Sequence, residues 1–341
     1  MLSPSDKPTS MAVHVPSFLL RLPPEVSAAL GGILIALIIS SVIVRFWGRG
    51  GATKTLTEVR LRIRTWWVIS GLFGTAVLMA RTGAIVFLAF VSFLALKEYL
   101  SLIPTRRADR RVLFWAYLAI PVQYFWISQE WYGMFIIFIP VYLFLLIPTR
   151  MVTIGDTAGF LRAAGTLHWG LMTTVFSLSH AAYLIVVQPA ELPRIAPQWP
   201  SESTQQLPGP GLLVLLVMLT QLNDVLQFLW GKSIGRIRVV PTVSPGKTLG
   251  GLLGGVATTT LLAWLIGPHL TFLDGPRSLL AGLIISVSGF AGDVSISALK
   301  RDLGVKDSGS TLPGHGGILD RVDSLTYAAP LFFHFVWYCY C

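Results

Sequence analysis

Charge is scarce in this chain. Asp, Glu, Lys and Arg make up 12% of its 341 residues, about half the share found in soluble domains. With 53% of residues hydrophobic, that scarcity excludes an ordinary soluble enzyme and points to a polytopic membrane protein. Cysteine is almost absent: the two residues, Cys339 and Cys341, sit at the very end. They form neither a disulfide framework nor a metal-ligand spacing, so a metal here needs oxygen ligands. Acidic residues number 16 against 26 Lys and Arg, a net charge of +10. In a membrane chain that excess reads as basic cytoplasmic loops drawn to anionic lipid, and no nucleic-acid partner is expected. Residues 1–24, rich in Pro and Ser, lack the compact apolar run of a cleaved signal peptide and predict a loose or interfacial tail.

What the chain has in abundance is apolar runs. A spanning helix needs about 20 mostly apolar residues. Ten candidates follow, at about 26–46, 66–81, 83–102, 112–128, 131–148, 168–188, 211–230, 248–270, 277–298 and 323–341. The fold class predicted is all-α, with both termini outside the cytoplasm. With these spans, all but five of the basic residues (Lys7, Arg21, Arg81, Arg194 and Arg277) fall on one side, the distribution that the positive-inside rule assigns to the cytoplasm. The stretch 150–165 reads as a short interfacial helix, and the proline-rich 189–210 as an external loop. The first six helices, 26–190, hold few intramembrane charges and read as scaffold. The last four, 211–341, hold the chemistry.

Three clusters carry it. In the seventh span Gln221, Asp224 and Gln227 recur every three residues, on one face. An ionisable group at membrane depth is costly and points to function by default; the bland alternative is an Asp satisfied by neighbouring amides. The following loop reads V-S-P-G-K-T-L-G-G, and Ser244, Lys247 and Thr248 precede a helix, whose N-terminus favours anions. Its spacing is not that of a P-loop. In the ninth span Asp293, Ser297 and Lys300 share a face at intervals of four and three, and Asp320 and Asp323 lie three apart. Carboxylates on neighbouring helices suit Mg²⁺, which takes a few carboxylates together with water and phosphate oxygens; helix capping and plain ion pairing explain them equally well.

The third cluster continues as S-A-L-K-R-D-L-G-V-K-D-S-G-S-T-L-P-G-H-G-G-I-L-D-R-V-D, Ser297 to Asp323. Cations for phosphate oxygens, carboxylates for a metal, and glycines that let backbone amides approach closely describe a polyanion site. This stretch resembles the signature of the phosphatidate cytidylyltransferases (CDP-diacylglycerol synthases), S-x-L-K-R-x4-K-D-x-G-x2-L-P-x-H-G-G-I-x-D-R-V-D, and meets every specified position. A weaker likeness reaches back to Gln221. That family usually continues S-P-x-K-T with Trp-Glu-Gly; here Leu249-Gly250-Gly251 stands instead, so no role of that Glu carries over.

The resemblance implies a membrane nucleotidyltransferase that joins CTP to phosphatidate, giving CDP-diacylglycerol and pyrophosphate, with its site facing the cytoplasm across a bacterial inner membrane. It implies Mg²⁺ held by Asp293, Asp320 and Asp323, with a second, monovalent cation left open. Lys300, Arg301, Asp307, His315 and Arg321 are the expected catalytic groups. Asp224, Ser244, Lys247, Thr248, Ser297, Lys306, Gly316 and Gly317 are the expected substrate contacts. Homodimerisation is left open. Two rivals stand beside this reading: a cytidylyltransferase for another lipid phosphate, and a cation-coupled transporter using Asp224 and Asp293.

Overall fold

The structure, a computed structural model, describes residues 23–47, 54–104, 110–187, 209–309, 311 and 316–341. Ten helical stretches account for almost all of them: α1 (Pro24–Trp47), α2 (Lys54–Leu78), α3 (Ala80–Leu102), α4 (Arg110–Ser128), α5 (Tyr132–Val152), α6 (Phe160–Val186), α7 (Gly209–Ile234), α8 (Leu249–Leu270), α9 (Gly275–Asp302) and α10 (Leu319–Tyr340). The described residues contain no strand beyond an isolated bridge between Arg238 and Thr248. Seven of the helices are long and apolar enough to cross a membrane: α1, α3 and α5 to α9. The other three overlap expected spans but do not meet that measure of length and composition. The expected tail and the 189–210 loop lie almost wholly outside the described residues, as does His315.

Two local expectations shift. α2 begins at Lys54, twelve residues ahead of the apolar run, and carries Arg60, Arg62 and Arg64 as exposed side chains on its first turns. No separate interfacial helix forms at 150–165. α5 runs to Val152, a turn follows in which Gly155 (φ 82°) and Gly159 (φ 67°) take the left-handed backbone, and α6 starts at Phe160. α5 also widens to π-helical hydrogen bonding over Phe138–Leu143, where Pro140 has no N–H to give.

The two halves pack differently. In the first, and where it meets α10, large side chains fill the core: Phe135 and Tyr183 pack ring to ring with Phe333 of α10, and Tyr132 stacks on Trp337 of α10 with centroids 4.1 Å apart. In the last four helices small residues let backbones approach, as membrane helices without a hydrophobic driving force between them often do. A Cβ at Gly251 would stand 2.6 Å from the Gln227 carbonyl oxygen, one at Gly282 2.8 Å from the Thr260 Cα, and one at Gly292 2.5 Å from the Asp323 carbonyl oxygen. These approaches bind α7 to α8, α8 to α9 and α9 to α10. They also bring the few polar residues of those helices together.

Candidate active site

Asn223, fully buried on α7, accepts a hydrogen bond from Thr259 on α8 (3.2 Å) and donates to the Ser286 carbonyl on α9 (3.1 Å). Its neighbours then face the other way. The Gln221 amide donates to the Arg321 carbonyl (3.4 Å), and the Ser324 hydroxyl of α10 lies 3.0 and 3.2 Å from the two oxygens of Asp224. Gln227, 4% exposed, accepts from the Lys247 ammonium at 3.1 Å. The three-residue spacing thus does what the sequence suggested and lines one face of α7 with polar groups.

Lys247 comes from the loop between α7 and α8. That loop is tied back by hydrogen bonds from the Val239 amide to the Lys247 carbonyl and from the Leu249 amide to the Ile237 carbonyl. Thr248 caps α8, its hydroxyl accepting from the Gly251 amide (3.1 Å), so that hydroxyl is committed to the helix. Ser244 is half-buried in the same loop, its backbone bonded to Val240 and Lys247. The Lys247 ammonium crosses to Asp293 on α9 at 2.6 Å. Burial opposes its charge, but the Asp293 and Asp224 carboxylates outweigh that and hold its pKa above the ordinary lysine value.

On α9 the Ser297 hydroxyl donates to Asp293 (3.2 Å), and one turn on Lys300 reaches Asp320 at 2.7 Å. The helix then ends in a Schellman closure. The Val305 amide bonds to the Lys300 carbonyl and the Gly304 amide to the Arg301 carbonyl, with Gly304 at φ 70°. Arg301 is exposed and spans two loops, donating to the Val243 and Val305 carbonyls. Lys306 and Asp307 are exposed beside it.

The loop leading to α10 wraps a carboxylate. Besides Lys300, Asp320 accepts from the backbone amides of Ser308 (2.8 Å) and Gly317 (3.0 Å). Gly316, at φ 80°, leaves room for it: a Cβ there would sit 2.6 Å from the Asp320 oxygen. Asp323, 8% exposed, lies one turn deeper, within electrostatic range of Asp293 and Asp224. Sequence spacing placed Asp320 and Asp323 on one face. The structure turns Asp320 into the loop and leaves Asp323 among the α7 and α9 carboxylates.

One residue that sequence reading did not name belongs here. Glu98 of α3, 8% exposed, accepts from the Leu319 amide (2.9 Å), the Ser308 hydroxyl (3.3 Å) and the Thr311 hydroxyl (2.6 Å). The signal available was a lone acid within an apolar run, which by itself gives no partner.

The cluster therefore sets Asp224, Asp293, Asp323 and Asp320 against Lys247 and Lys300. Two donors near it have no partner among the described residues: the Gln227 amide nitrogen and the Arg321 Nε, both buried. Buried donors of that kind suit an anionic ligand. Among the described residues no three acidic, His or Cys side chains stand close enough to cage a metal. The donor set is nonetheless all oxygen and over-supplied with negative charge. It fits an ion such as Mg²⁺, which takes one or two carboxylates and fills its shell with water and substrate phosphate.

The described geometry coincides with what sequence comparison finds. The model of the Cytidylyltransferase family matches residues 60–339. The chain is 46% identical over 312 residues to the uncharacterised protein YnbB of Escherichia coli (strain K12), covering 91% of this chain and 98% of that one. It is 39% identical over 135 residues to the phosphatidate cytidylyltransferase of Haemophilus influenzae, covering 38% of this chain and 47% of that one. With the enzyme of that name from Pseudomonas aeruginosa it shares 37% over 143 residues, 41% and 50% of the two chains. The match thus spans about half the length of these two enzymes. Matched over most of its length by the family model, with the lysine–carboxylate cluster lying inside that match, the chain belongs to the cytidylyltransferase family.

Proposed function

We propose that this protein transfers the cytidylyl group of CTP to phosphatidate, releasing pyrophosphate and leaving CDP-diacylglycerol in the bilayer. The observation that carries the reading is the pairing of Lys247 with Asp293 and Lys300 with Asp320 beside two further carboxylates, half-buried Asp224 and buried Asp323. A phosphate oxygen of the lipid attacks the α-phosphorus of CTP. The bond from that phosphorus to the bridging oxygen breaks, and pyrophosphate leaves with the electron pair. The nucleophile belongs to the substrate, so no protein nucleophile is needed, and alignment with charge neutralisation supplies the rate.

The residues divide that work. Lys247, half-buried, and Lys300, buried, carry ammonium groups already oriented by carboxylates, ready to share themselves with phosphate oxygens. The Gln227 amide and the Arg321 Nε add donors that have no partner among the described residues. One or two of Asp293, Asp320 and Asp323 would hold Mg²⁺, with water and phosphate oxygens filling its shell, and its chemistry there would be to neutralise charge on the polyphosphate. Arg301, Lys306 and Asp307 rim the site, where they would meet the triphosphate or the lipid headgroup. The basic loops would face the cytoplasm, where CTP is.

A second reading differs only in the lipid. YnbB matches over nearly its whole length, whereas the named phosphatidate enzymes match over about half. An acceptor that is another lipid phosphate keeps every step above. The purified protein with labelled CTP and a panel of lipid phosphates decides: CDP-diacylglycerol and pyrophosphate should form fastest with phosphatidate. Turnover with another lipid phosphate alone selects the second reading, and no pyrophosphate with any of them ends both. In the same assay Asp293→Asn and Asp320→Asn should each weaken the response to Mg²⁺. Their losses should be non-additive, because one missing ligand already disables the same ion. A normal Mg²⁺ response in either variant removes that residue from the metal.

A further inference from the structure

We propose that Glu98, on α3 in the first half of the chain, is a positioning residue that holds the loop before α10 in its active shape. Every partner of its carboxylate among the described residues belongs to that loop or to the first residue of α10. One oxygen accepts from the Leu319 amide and the Ser308 hydroxyl, the other from the Thr311 hydroxyl. The loop is built around it. A Cβ at Gly317 would stand 2.3 Å from one Glu98 oxygen, and one at Gly309 3.2 Å from the other. Only residues without side chains let the backbone close this tightly on a carboxylate.

Two physical consequences follow. A carboxylate that is 8% exposed must keep its donors, because an unsatisfied buried charge is costly. The loop therefore cannot drift from α3 without losing three hydrogen bonds to a charged group. Ser308 then passes the constraint on: its hydroxyl donates to Glu98 while its backbone amide donates to Asp320. The Leu319 amide is the first of α10, where an anion also interacts favourably with the positive end of the helix dipole. Glu98 thereby fixes both the loop that wraps Asp320 and the start of the helix that carries Asp320, Arg321 and Asp323, without touching substrate itself. A role of this kind falls on turnover more than on substrate affinity.

This inference rests on the cytidylyltransferase reading for its kinetic arm but not for its structural one. The first measurement is hydrogen–deuterium exchange of the intact protein in detergent or nanodiscs. Glu98→Ala should speed exchange in peptides covering 303–320 and leave α7 and α8 as protected as in the parent. Glu98→Gln, which keeps one acceptor oxygen for the Leu319 amide, should recover most of that protection. The second is kinetic: kcat should fall roughly 10- to 100-fold in Glu98→Ala, with the KM for CTP within about threefold and partial rescue in Glu98→Gln. Ser308→Ala and Thr311→Val, which each remove one bond at the far end, guard against a Glu98 variant that fails to fold. Each should show the same pattern, weaker. Unchanged exchange at 303–320 in Glu98→Ala overturns the proposal. So does faster exchange across all ten helices, with Ser308→Ala and Thr311→Val indistinguishable from the parent, since Glu98 would then serve the fold at large. If the parent protein makes no CDP-lipid, the reaction assignment fails while the exchange data still decide the role of Glu98.

Discussion

At the scale of single residues, the site is organised by two lysines that arrive from opposite directions, Lys247 from a loop and Lys300 from the last turn of α9, each onto a carboxylate. Taking away one partner of a half-buried pair such as Lys247–Asp293 leaves the other charge poorly compensated, at a cost below the ~3–5 kcal/mol of a fully buried pair. Lys247→Met should therefore lower thermal stability and cut turnover by at least ~100-fold, and Lys247→Met/Asp293→Asn should regain stability but not turnover. Recovery of both together would place Lys247 in the fold alone. The pH dependence follows from the same contacts. The Lys247 pKa is raised by Asp293 and Asp224, so its stabilising charge is complete below the ordinary lysine value and is lost only above the raised one. Activity between about pH 6 and 9 should then show no limb from this lysine. A basic limb in that window, absent in Lys247→Arg, would contradict the assignment. Gln227→Leu tests the amide nitrogen that has no partner among the described residues: it keeps the volume and removes both that donor and the acceptor for Lys247. The KM for CTP should rise, and an unchanged KM would exclude the amide from the ligand.

Helix by helix, the arrangement was legible wherever a long apolar run or a fixed interval carried the information. α3, α4 and α7 to α10 lie within a few residues of the apolar runs, and the face formed by Gln221, Asp224 and Gln227 follows from helical spacing. The partners of those faces were not legible. Nothing local says that Lys247 reaches Asp293, that Asp320 turns into the loop, or that Glu98 spans to Leu319, since each contact is set by how helices pack. The early start of α2 was hidden because Arg60, Arg62 and Arg64 break the apolar pattern while favouring helix. The glycines were visible, but which of them meet a neighbour was not. Gly251→Val should be severe, because the added carbons meet the backbone of α7 at the Gln227 carbonyl and would displace the lysine loop. Gly71→Ala on α2, where a Cβ meets nothing within 4 Å, should be neutral or stabilise by up to ~1 kcal/mol through the entropy of the unfolded chain. Equal thermal shifts in the two variants would mean that the close crossing of α7 and α8 is not what holds Lys247 in place.

For the molecule as a whole, the contacts between helix ends sort them into two sets. At one end Arg81, at the start of α3, pairs with Glu130, just past α4. Tyr183, near the end of α6, donates to the Glu130 carbonyl, and Arg277, at the start of α9, lies against Tyr340, at the end of α10. At the other end Glu98 and Tyr99, near the end of α3, meet the starts of α10 and α6, and Arg301, at the end of α9, meets the loop between α7 and α8. Consecutive helices thus run back and forth, and the polar cluster lies toward the second end. We propose that this end faces the cytoplasm: its loops carry the excess of basic residues that the positive-inside rule assigns to that side, and the proposed use of CTP requires the site to open there. The proposal is directional and can be tested on intact cells. After Cys339 and Cys341 are replaced by Ser, a single cysteine at Lys306 and one at Gln129, both exposed, should differ in their reaction with an impermeant maleimide. Gln129→Cys should label from outside, and Lys306→Cys only once the membrane is opened. Labelling of Lys306→Cys in sealed cells would invert the orientation and leave the lysines and carboxylates on the side without CTP. Labelling of both from one side would break the alternation itself, since Gln129 follows α4 and Lys306 follows α9, at opposite ends of the bundle.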